Sequence, residues 1–463
     1  MTATLAPASE QAMFDERLPV GRTLVIGFQH VLVMMPGTIA VPLILASAIG
    51  LNAADTSLLV SANFLAVGVT TMIHALGFGH IGTRLPIIFG SSFAPLGPMI
   101  MIGKNYGMGA LFGAIIGSGV LILASTFFLE KVLALFPKVV VGCFVTLIGV
   151  SLAPTALTDL AGGFGSESFG SPRNLALGFG VLITIVLLER FGRGMVSVLA
   201  LLIGMIGGGL VGLALGMVDT KAVADASWFA VVPPFHFGVP EFHPVPILLM
   251  TLFCLMNVLQ CIGGYSVLDD LTGSHTSRAK VVDGVRAQAV GQIFAGSFNS
   301  VACTIFKENL GLLGITKVKS RWVIVTAAAM ALLLGFLPKI ATLLTAIPKP
   351  VVGGATLYLF GVVTAAGLSI LSSLDFGKNH HFTIIGTSLA VGIGAEFVGD
   401  AFSQLPETLS MLLSDGLFMV AFTAVTLNLL YNGVRTRPLE TDVSDAGTRS
   451  RHVPEPDHAS SPQ

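Results

Sequence analysis

Long apolar runs alternate with short polar stretches along almost the whole chain. A helix of about 20 apolar residues is long enough to cross the hydrocarbon core of a bilayer. The pattern therefore predicts an all-α polytopic membrane protein. Twelve runs predict transmembrane helices, near residues 23–46, 57–77, 86–102, 108–128, 137–155, 174–189, 194–216, 245–266, 322–337, 351–372, 382–399 and 410–431.

Two further stretches, 283–297 and 301–316, are shorter and more polar than a simple span. Basic residues alternate between the two sides of the membrane only if both stretches cross it, which gives about fourteen spans. The loops on the N-terminal side then hold eleven lysines and arginines, and the opposite loops hold five. Cytoplasmic loops are enriched in Lys and Arg, so both termini are expected in the cytoplasm. The polar segment 1–22 does not resemble a signal peptide, so the first apolar run is expected to remain as a span.

The two halves of the chain share a motif. FPKVVVG (136–142) returns as IPKPVVG (347–353), and each copy opens a glycine-rich span. Seven predicted spans separate equivalent points, and an odd number places the halves in opposite orientations. This pattern is typical of the inverted repeats of secondary transporters. The alternative is a coincidence between two Pro-Lys turns.

Composition supports a membrane protein and excludes other classes. Hydrophobic residues make up 53% of the chain and charged residues only 11%, about half of what a soluble domain of this size carries. The net charge of −1 gives no basis for binding nucleic acid. The four cysteines lack the spacing of metal ligands and are interpreted as small buried hydrophobes, so no metal or cofactor is expected. The polar segment 433–463 is predicted to be disordered.

Two broken segments occupy equivalent places in the two halves. They are LPIIFGSSFAPLGPM (85–99) and NSVACTIFKENLGLLGITK (299–317), and both mix glycine or proline with hydroxyl residues at membrane depth. Non-helical backbone is tolerated there only where it is buried in protein or lines a cavity. Paired discontinuous segments indicate a binding site near the middle of the membrane, because helix N-termini and free amides face the ligand.

Glu308 is the most informative residue of these segments. An ionisable group inside a span costs about 2.5–3.5 kcal/mol on insertion scales, so it is expected to bind substrate donors, to carry a coupling proton, or both. The alternative is a structural carboxylate that pairs with Lys307 or caps the following helix. Asn309 offers amide hydrogen bonds to a heterocycle or to Glu308.

Other polar residues are also predicted at membrane depth. Gln260 needs hydrogen-bond partners there, which a substrate or a neighbouring helix can supply. Gln288 is a weaker candidate of the same kind, and His30 is either structural or a ligand. Three basic residues beyond the second broken segment are interpreted as anchors on the cytoplasmic side: Lys317, Lys319 and Arg321.

The segment ENLGLLGITK (308–317) resembles the signature of the nucleobase–ascorbate transporter family, the nucleobase:cation symporters of the uracil–xanthine permease type. The resemblance covers residues 20–432, and GSFNSVACTIFKENLG and the LLSDG sequence look most like its bacterial urate–xanthine branch. Four other segments carry the resemblance, namely QHVLVMMPGTIAVP (29–42), FGSSFAP (89–95), MVDTKAVADASWFAVVPP (217–234) and IPKPVVGG (347–354).

The resemblance implies fourteen spans in two inverted halves, usually assembled as a homodimer, with short strands in spans three and ten that meet at the substrate. It implies a core domain of 23–128 and 244–337 and a gate domain of 129–243 and 338–432, preceded by a cytoplasmic segment, 1–22. Carried over by position, it implies the following site: backbone around Phe93 and Ala94 contacts the base, Glu308 holds it, Asn309 supports the site, Gly37 lies near it, and Phe360 provides an aromatic wall.

The sequence departs from the family pattern at three positions. Gln260 and Gln288 stand where the family has a glutamate and an aspartate, and Lys307 stands where a small residue is usual. Glutamine can bond a base but cannot take up a proton. Proton coupling therefore depends on Glu308 or on no carboxylate in the site.

The resulting hypothesis is a carrier in the bacterial cytoplasmic membrane that imports a purine such as xanthine or urate by proton symport in an elevator-type cycle. Sodium is the alternative coupling ion. Three other interpretations remain: a uracil permease of the same family, an uncoupled facilitator or anion exchanger of the same fold, which Lys307 favours, and a membrane enzyme. No nucleophile–base pair or metal cluster supports an enzyme.

Overall fold

A computed structural model describes residues 7–163, 165–218 and 220–433. The predicted disordered tail, apart from Gly433, and the first six residues lie outside the described ranges. The first half contains α1 (Pro7–Phe14), α2 (Val20–Ile49), α3 (Ala53–Leu76), β1 (Phe89–Ser91), α4 (Leu96–Asn105), α5 (Gly107–Ser125), α6 (Leu129–Leu133), α7 (Lys138–Leu160), α8 (Pro172–Phe191), α9 (Met195–Val198) and α10 (Ala200–Ala214). The second half contains α11 (Thr220–Asp225), α12 (Pro244–Thr272), α13 (Arg278–Ser297), β2 (Cys303–Ile305), α14 (Glu308–Thr316), α15 (Arg321–Gly335), α16 (Pro338–Thr345), α17 (Lys349–Ser372), α18 (His381–Phe397), α19 (Glu407–Ser414) and α20 (Gly416–Asn432).

Seven of these helical units are long and apolar enough to cross a membrane: α2, α3, α5 together with α6, α7, α8, α12 and α17. An eighth unit, α15 with α16, qualifies if its 82° bend is counted within one span. Helices α10, α18 and α20 are apolar but shorter. The described chain is thus mostly helical and multi-pass, as predicted, while the count of fourteen and the inverted repeat stay predictions.

Polar residues at the loops explain where several helices begin. The side chain of Asn52 accepts a hydrogen bond from the backbone N–H of Asp55 at the start of α3 (2.9 Å). Ser171 and Ser277 cap α8 and α13 in the same way. Such caps satisfy N–H groups that have no partner within the helix.

The long helices pack in two groups. In one, α7 lies along α17, and α8, α10, α18 and α20 surround this pair. In the other, α3 packs on α2, α13 and α15, and α5 packs on α12 and α13. Glycines allow the closest crossings: a Cβ at Gly353 of α17 would overlap the backbone of Leu160 in α7. This is the backbone-to-backbone packing that glycine permits in lipid. The second group corresponds largely to the predicted core domain and the first to the predicted gate domain, and the domain boundaries stay predictions.

The N-terminal segment is attached to the second group of helices. Phe14 is only 1% exposed and packs in a cluster with Leu85, Tyr265 and Leu313. Next to it, Asp15 forms an ion pair with Arg321 at the start of α15. Arg321, interpreted from the sequence as a cytoplasmic anchor, therefore also fixes this segment to the bundle.

Candidate functional site

The two broken segments meet as a pair of short antiparallel strands. Phe89 lies opposite Ile305, and Ser91 lies opposite Cys303. Hydrogen bonds continue the pairing at both ends, from the Ser92 N–H to the Ala302 carbonyl (2.9 Å) and from the Phe306 N–H to the Ile88 carbonyl (3.0 Å). The backbone groups freed by the breaks thus satisfy one another within the membrane. This arrangement is the one that the family resemblance implied.

An asparagine of α3 holds this strand pair from one side. The Asn63 amide donates to the Thr38 carbonyl in α2 (2.6 Å) and to the Ser91 hydroxyl in β1 (2.6 Å). Its carbonyl oxygen accepts a hydrogen bond from the Ser300 hydroxyl, just before β2 (3.1 Å). One fully buried side chain therefore joins a helix and both broken segments.

A second asparagine, in α12, holds the strand pair from the other side. The Ser92 hydroxyl donates to the Asn257 side-chain oxygen (2.6 Å), and the Thr304 hydroxyl donates to the Asn257 backbone carbonyl (3.2 Å). The Nδ2 atom of Asn257 is buried and has no hydrogen-bond partner within the described ranges. Neither asparagine was predicted from the sequence. The available signal was an Asn in the middle of a mainly apolar span.

The ring of Phe306, between β2 and α14, fits against two glycines. A Cβ at Gly37 would lie 2.6 Å from Cε2 of this ring, and a Cβ at Gly90 would lie 2.6 Å from its Cδ2. Gly37 was expected near the substrate. In the structure Gly37 contacts Phe306. Because glycine has no side chain, it leaves room for the Phe306 ring, which directly precedes Lys307 and Glu308 in the chain.

Helix α14 begins at Glu308, directly after this junction. The side chains of Lys307 and Glu308 are exposed, although the residues on either side of them are buried. The Glu308 carboxylate lies close to its own backbone N–H at the helix N-terminus, where a negative charge is favoured. In the part of the chain that the structure describes, it forms no ion pair with Lys307 within 4.0 Å. The carboxylate is therefore free to meet a ligand.

Asn309 and His30 form the buried side of this helix start. Asn309 is 3% exposed, and neither its Nδ2 nor its Oδ1 has a hydrogen-bond partner among the described residues. It lies next to His30 of α2, which is 2% exposed and whose Nδ1 also lacks a partner. Buried polar atoms are normally hydrogen-bonded, and leaving one unpaired costs about 1–3 kcal/mol. These atoms are candidates for direct or water-mediated bonds to a ligand.

The two glutamines that replace family acids have different surroundings. Gln288 of α13 is buried, and its amide donates to the Cys303 carbonyl in β2 (3.3 Å), so it supports the strand pair. Its Oε1 has no partner in the described chain. Gln260 of α12 is half-buried, and over the same ranges its side chain makes no hydrogen bond within the protein. Of the two, Gln260 is the one whose whole amide is free for a ligand.

Aromatic rings approach the strand pair from both groups of helices. Phe93, which follows β1, is half-buried and meets Phe360 of α17 edge-on, with 5.6 Å between ring centroids. The N–H of Ala94 donates to the Ser92 hydroxyl (3.2 Å). The N–H of Phe93 makes no hydrogen bond in the described structure, so the free donor at this loop belongs to Phe93. A third aromatic residue, missed from the sequence, is Tyr358, which lies beside Glu189 and near Glu308.

Comparison with known proteins identifies the family. Residues 21–400 match the profile Xan_ur_permease, described as a permease family. The xanthine permease of Bacillus subtilis (strain 168) is 39% identical over 89% of this chain and 94% of its own length. The chain belongs to the nucleobase–ascorbate transporter family.

Other members of the nucleobase–ascorbate transporter family match at similar levels. The uric acid transporter UacT of Escherichia coli (strain K12) is 36% identical over 95% of this chain and 92% of its own length. The nucleobase transporter PlUacP of Paenibacillus larvae is 38% identical over 91% of this chain and 98% of its own length. These relatives are transporters, so the chain is a permease and not an enzyme.

Solved structures share the fold at low sequence identity. The transmembrane domain of the cyanobacterial bicarbonate transporter BicA matches with a TM-score of 0.55 and 14% identity, covering 90% of this chain and 99% of that domain. The structure of SLC26A9 matches with a TM-score of 0.60 and 11% identity, covering 87% of this chain and 65% of that one. At such identities the similarity concerns the fold alone. The assignment of the site residues in this chain therefore depends on their positions in the family signature and on the geometry of the structure.

Proposed function

We propose that this permease imports a purine nucleobase, xanthine or urate, across the bacterial cytoplasmic membrane. The observation that carries the proposal is the group of polar side chains around the paired strands: Gln260, Asn309 and His30, which have unpaired polar atoms in the described chain, and the exposed carboxylate of Glu308. Fused oxopurine rings present alternating N–H and C=O groups along their edges. Amide and carboxylate side chains supply complementary donors and acceptors to such an edge. The names of the relatives, which are xanthine and uric acid carriers, support the same choice.

The base would lie between the N-termini of α4 and α14. Phe93 and Phe360 would cover one face of its planar ring, since aromatic side chains pack well on flat heterocycles. The free N–H of Phe93 and the amide of Gln260 would meet its edge, while the protonated carboxyl group of Glu308 would donate from its O–H to a ring carbonyl or nitrogen. Gly37 would act through shape, because it leaves room for the ring of Phe306, and Ala94 would contact the base through its small side chain and backbone.

Glu308 is our proposed proton carrier. A proton-driven cycle needs a group within the site that changes its charge, and Gln260, Gln288 and Asn309 cannot do so. Among the described residues of this helix start, Lys307 is the other ionisable side chain that is exposed beside Glu308. In the proposed cycle Glu308 is protonated when the base binds and gives up the proton on the cytoplasmic side. Sodium is the alternative ion to be tested.

The proposed cycle is of the elevator type, with fourteen spans arranged as two inverted halves of seven. The strand pair, α4 and α14 would move with the group that contains α2, α3, α12 and α13. The group built on α7 and α17 would stay fixed and form a homodimer. Both termini would lie in the cytoplasm.

Uptake of a radiolabelled panel in a transporter-deleted bacterial host tests the substrate. The panel contains urate, xanthine, hypoxanthine, guanine, adenine and uracil, and the empty vector is the control. We expect saturable uptake of urate or xanthine, with uracil and adenine at the level of the control. Uptake of uracil alone would replace the purine assignment with the uracil one, and uptake of no base would refute the proposed function.

A further inference from the structure

Lys307 carries a positive charge into the proposed site. It is the residue directly before α14, and its side chain is exposed. The side chain extends to α12, because a Cβ at Gly263 would lie 3.9 Å from the Lys307 Nζ. Gly263 lies one helical turn from Gln260, on the same face of α12. In the described chain the ammonium group forms no ion pair within 4.0 Å.

The surroundings of this ammonium group favour an anion. Helix α14 has nine residues, and its N-terminal end adds the positive end of a helix dipole. The backbone N–H of Lys307 makes no hydrogen bond within the described ranges and is a further free donor. Independently of the helix end, the amide of Asn309 is only 3% exposed and lies against His30, and in the described chain neither of its polar atoms has a hydrogen-bond partner of normal geometry, so both are available to a ligand.

We propose that Lys307 makes this carrier selective for the anionic form of an oxopurine, one that has lost a ring N–H proton, as urate has at neutral pH. The assignment rests on the proposed function and names the charge state of its substrate. The ammonium group binds the delocalised negative charge of the ring, while Glu308, in its protonated form, donates to a ring carbonyl or nitrogen.

The net charge of the moving group explains why Lys307, a protonated Glu308 and an anionic substrate together suit a carrier. In the empty site the positive charge of Lys307 balances the negative charge of Glu308. When one oxopurine anion and one proton bind, Glu308 becomes neutral and the anion balances Lys307, so the loaded site is again neutral. A neutral base with one proton would instead leave one positive charge to cross the membrane, which is costly.

In the described chain, three other ionisable groups belong to the surroundings of this helix start. His30 faces Asn309 from α2, and the charge balance takes it as neutral throughout. Tyr358 of α17 lies near Glu308, and Glu189 of α8 lies beside Tyr358; both belong to the helix group that is proposed to stay fixed. None of these groups changes the balance between the empty and the loaded state of the moving group.

Equilibrium binding to the purified full-length protein in detergent tests the role of Lys307. The ligands are urate, which is an anion at neutral pH, and hypoxanthine, which is neutral. Lys307→Met is expected to weaken urate binding by about 10- to 100-fold, as expected for the loss of a hydrogen bond to a charged group, and to leave hypoxanthine binding unchanged. Lys307→Arg keeps the charge and is expected to keep urate binding. Lys317→Met, which removes an exposed lysine from the other end of α14, is the matched control.

A size-exclusion profile and a thermal unfolding curve check that each variant is folded, and Lys307→Gln serves as a second neutral variant. Equal weakening of urate and hypoxanthine, or unchanged urate binding in Lys307→Met, overturns the assignment to Lys307. Absence of binding of any base to the wild type overturns the proposed function and this assignment with it. The two failures are therefore distinguishable.

Transport measurements give a second, independent readout. In proteoliposomes, the initial rate of urate uptake is expected to rise with an inward proton gradient. It is expected to be the same under inside-negative and inside-positive potentials set with potassium and valinomycin. Urate uptake that changes strongly with the sign of the potential would overturn the proposed charge balance.

Discussion

Gly37→Ala should disrupt the proposed site through a single methyl group. The new Cβ would lie 2.6 Å from Cε2 and 2.8 Å from Cζ of Phe306. Carbon atoms in contact normally lie about 3.5–4.0 Å apart, so the ring must retreat by about 1 Å. It cannot retreat freely, because Gly90 already packs against the adjacent ring atoms Cδ2 and Cγ, and the Phe306 N–H is bonded to the Ile88 carbonyl.

The clash is therefore expected to move the junction between β2 and α14. Overpacking of this kind costs about 1–3 kcal/mol. If the whole cost appears in substrate binding, affinity falls by about 5- to 150-fold, since 1.4 kcal/mol corresponds to a factor of ten. If it appears in the fold, the unfolding midpoint in detergent falls instead. Both quantities are measured on the same purified sample, by urate or xanthine binding and by thermal unfolding.

Two further variants isolate the cause. Phe306→Leu shortens the side chain that meets the new methyl group, so adding it to Gly37→Ala should restore part of the lost affinity or stability. Gly180→Ala adds a methyl group to a membrane helix at a glycine with no neighbouring atom within 4 Å, and it should behave like the wild type. Native affinity and a native unfolding midpoint in Gly37→Ala would refute the steric explanation, as would a double variant that is no better than Gly37→Ala.

Four other variants test separate parts of the molecule. Glu308→Gln should abolish concentrative uptake driven by a proton gradient but keep exchange of base across the membrane; concentrative uptake by this variant would rule out Glu308 as the proton carrier. Gln260→Ala should weaken base binding by about 1–3 kcal/mol, the cost of an unpaired buried partner, and unchanged binding in a folded variant would place the site elsewhere. Asn63→Ala should lower stability by a similar amount, seen as a lower unfolding midpoint, because three hydrogen bonds that join α2 and the two broken segments are lost. Phe14→Ala should cost about 3–5 kcal/mol on the same assay if the N-terminal segment supports the folded bundle, and a native midpoint would show that it does not.

Much of the fold was predictable because membrane insertion depends on local composition. A span is recognised from about 20 consecutive residues, without reference to the rest of the chain. The two broken segments were also predictable, since glycine, proline and hydroxyl residues stand out within an apolar background. Glu308 stands out for the same reason, as a carboxylate at membrane depth, and its functional role is a prediction from the sequence.

The supporting residues were not predictable in the same way. Asn63 is one polar residue in an apolar helix, and its partners lie in three other segments, up to 237 residues away. In the sequence Phe306 is an ordinary hydrophobic residue. Only the structure shows that its ring packs against Gly37 and Gly90. Tyr358 was overlooked beside Phe360, because which helix face meets the site depends on how α17 packs on its neighbours.

The sequence by itself thus determined that the chain lies in a membrane, where most of its helices run, where two of its spans are interrupted and which family it resembles. These properties can be predicted from short stretches of sequence, because each apolar segment enters the membrane according to its own length and composition. The family resemblance implied that the two interruptions meet, but only the tertiary structure decided their register, which side chains hold them, and which polar atoms remain unpaired in the described chain. Those outcomes depend on contacts between residues far apart in the chain, and inside a bilayer every freed backbone group must find its partner among them.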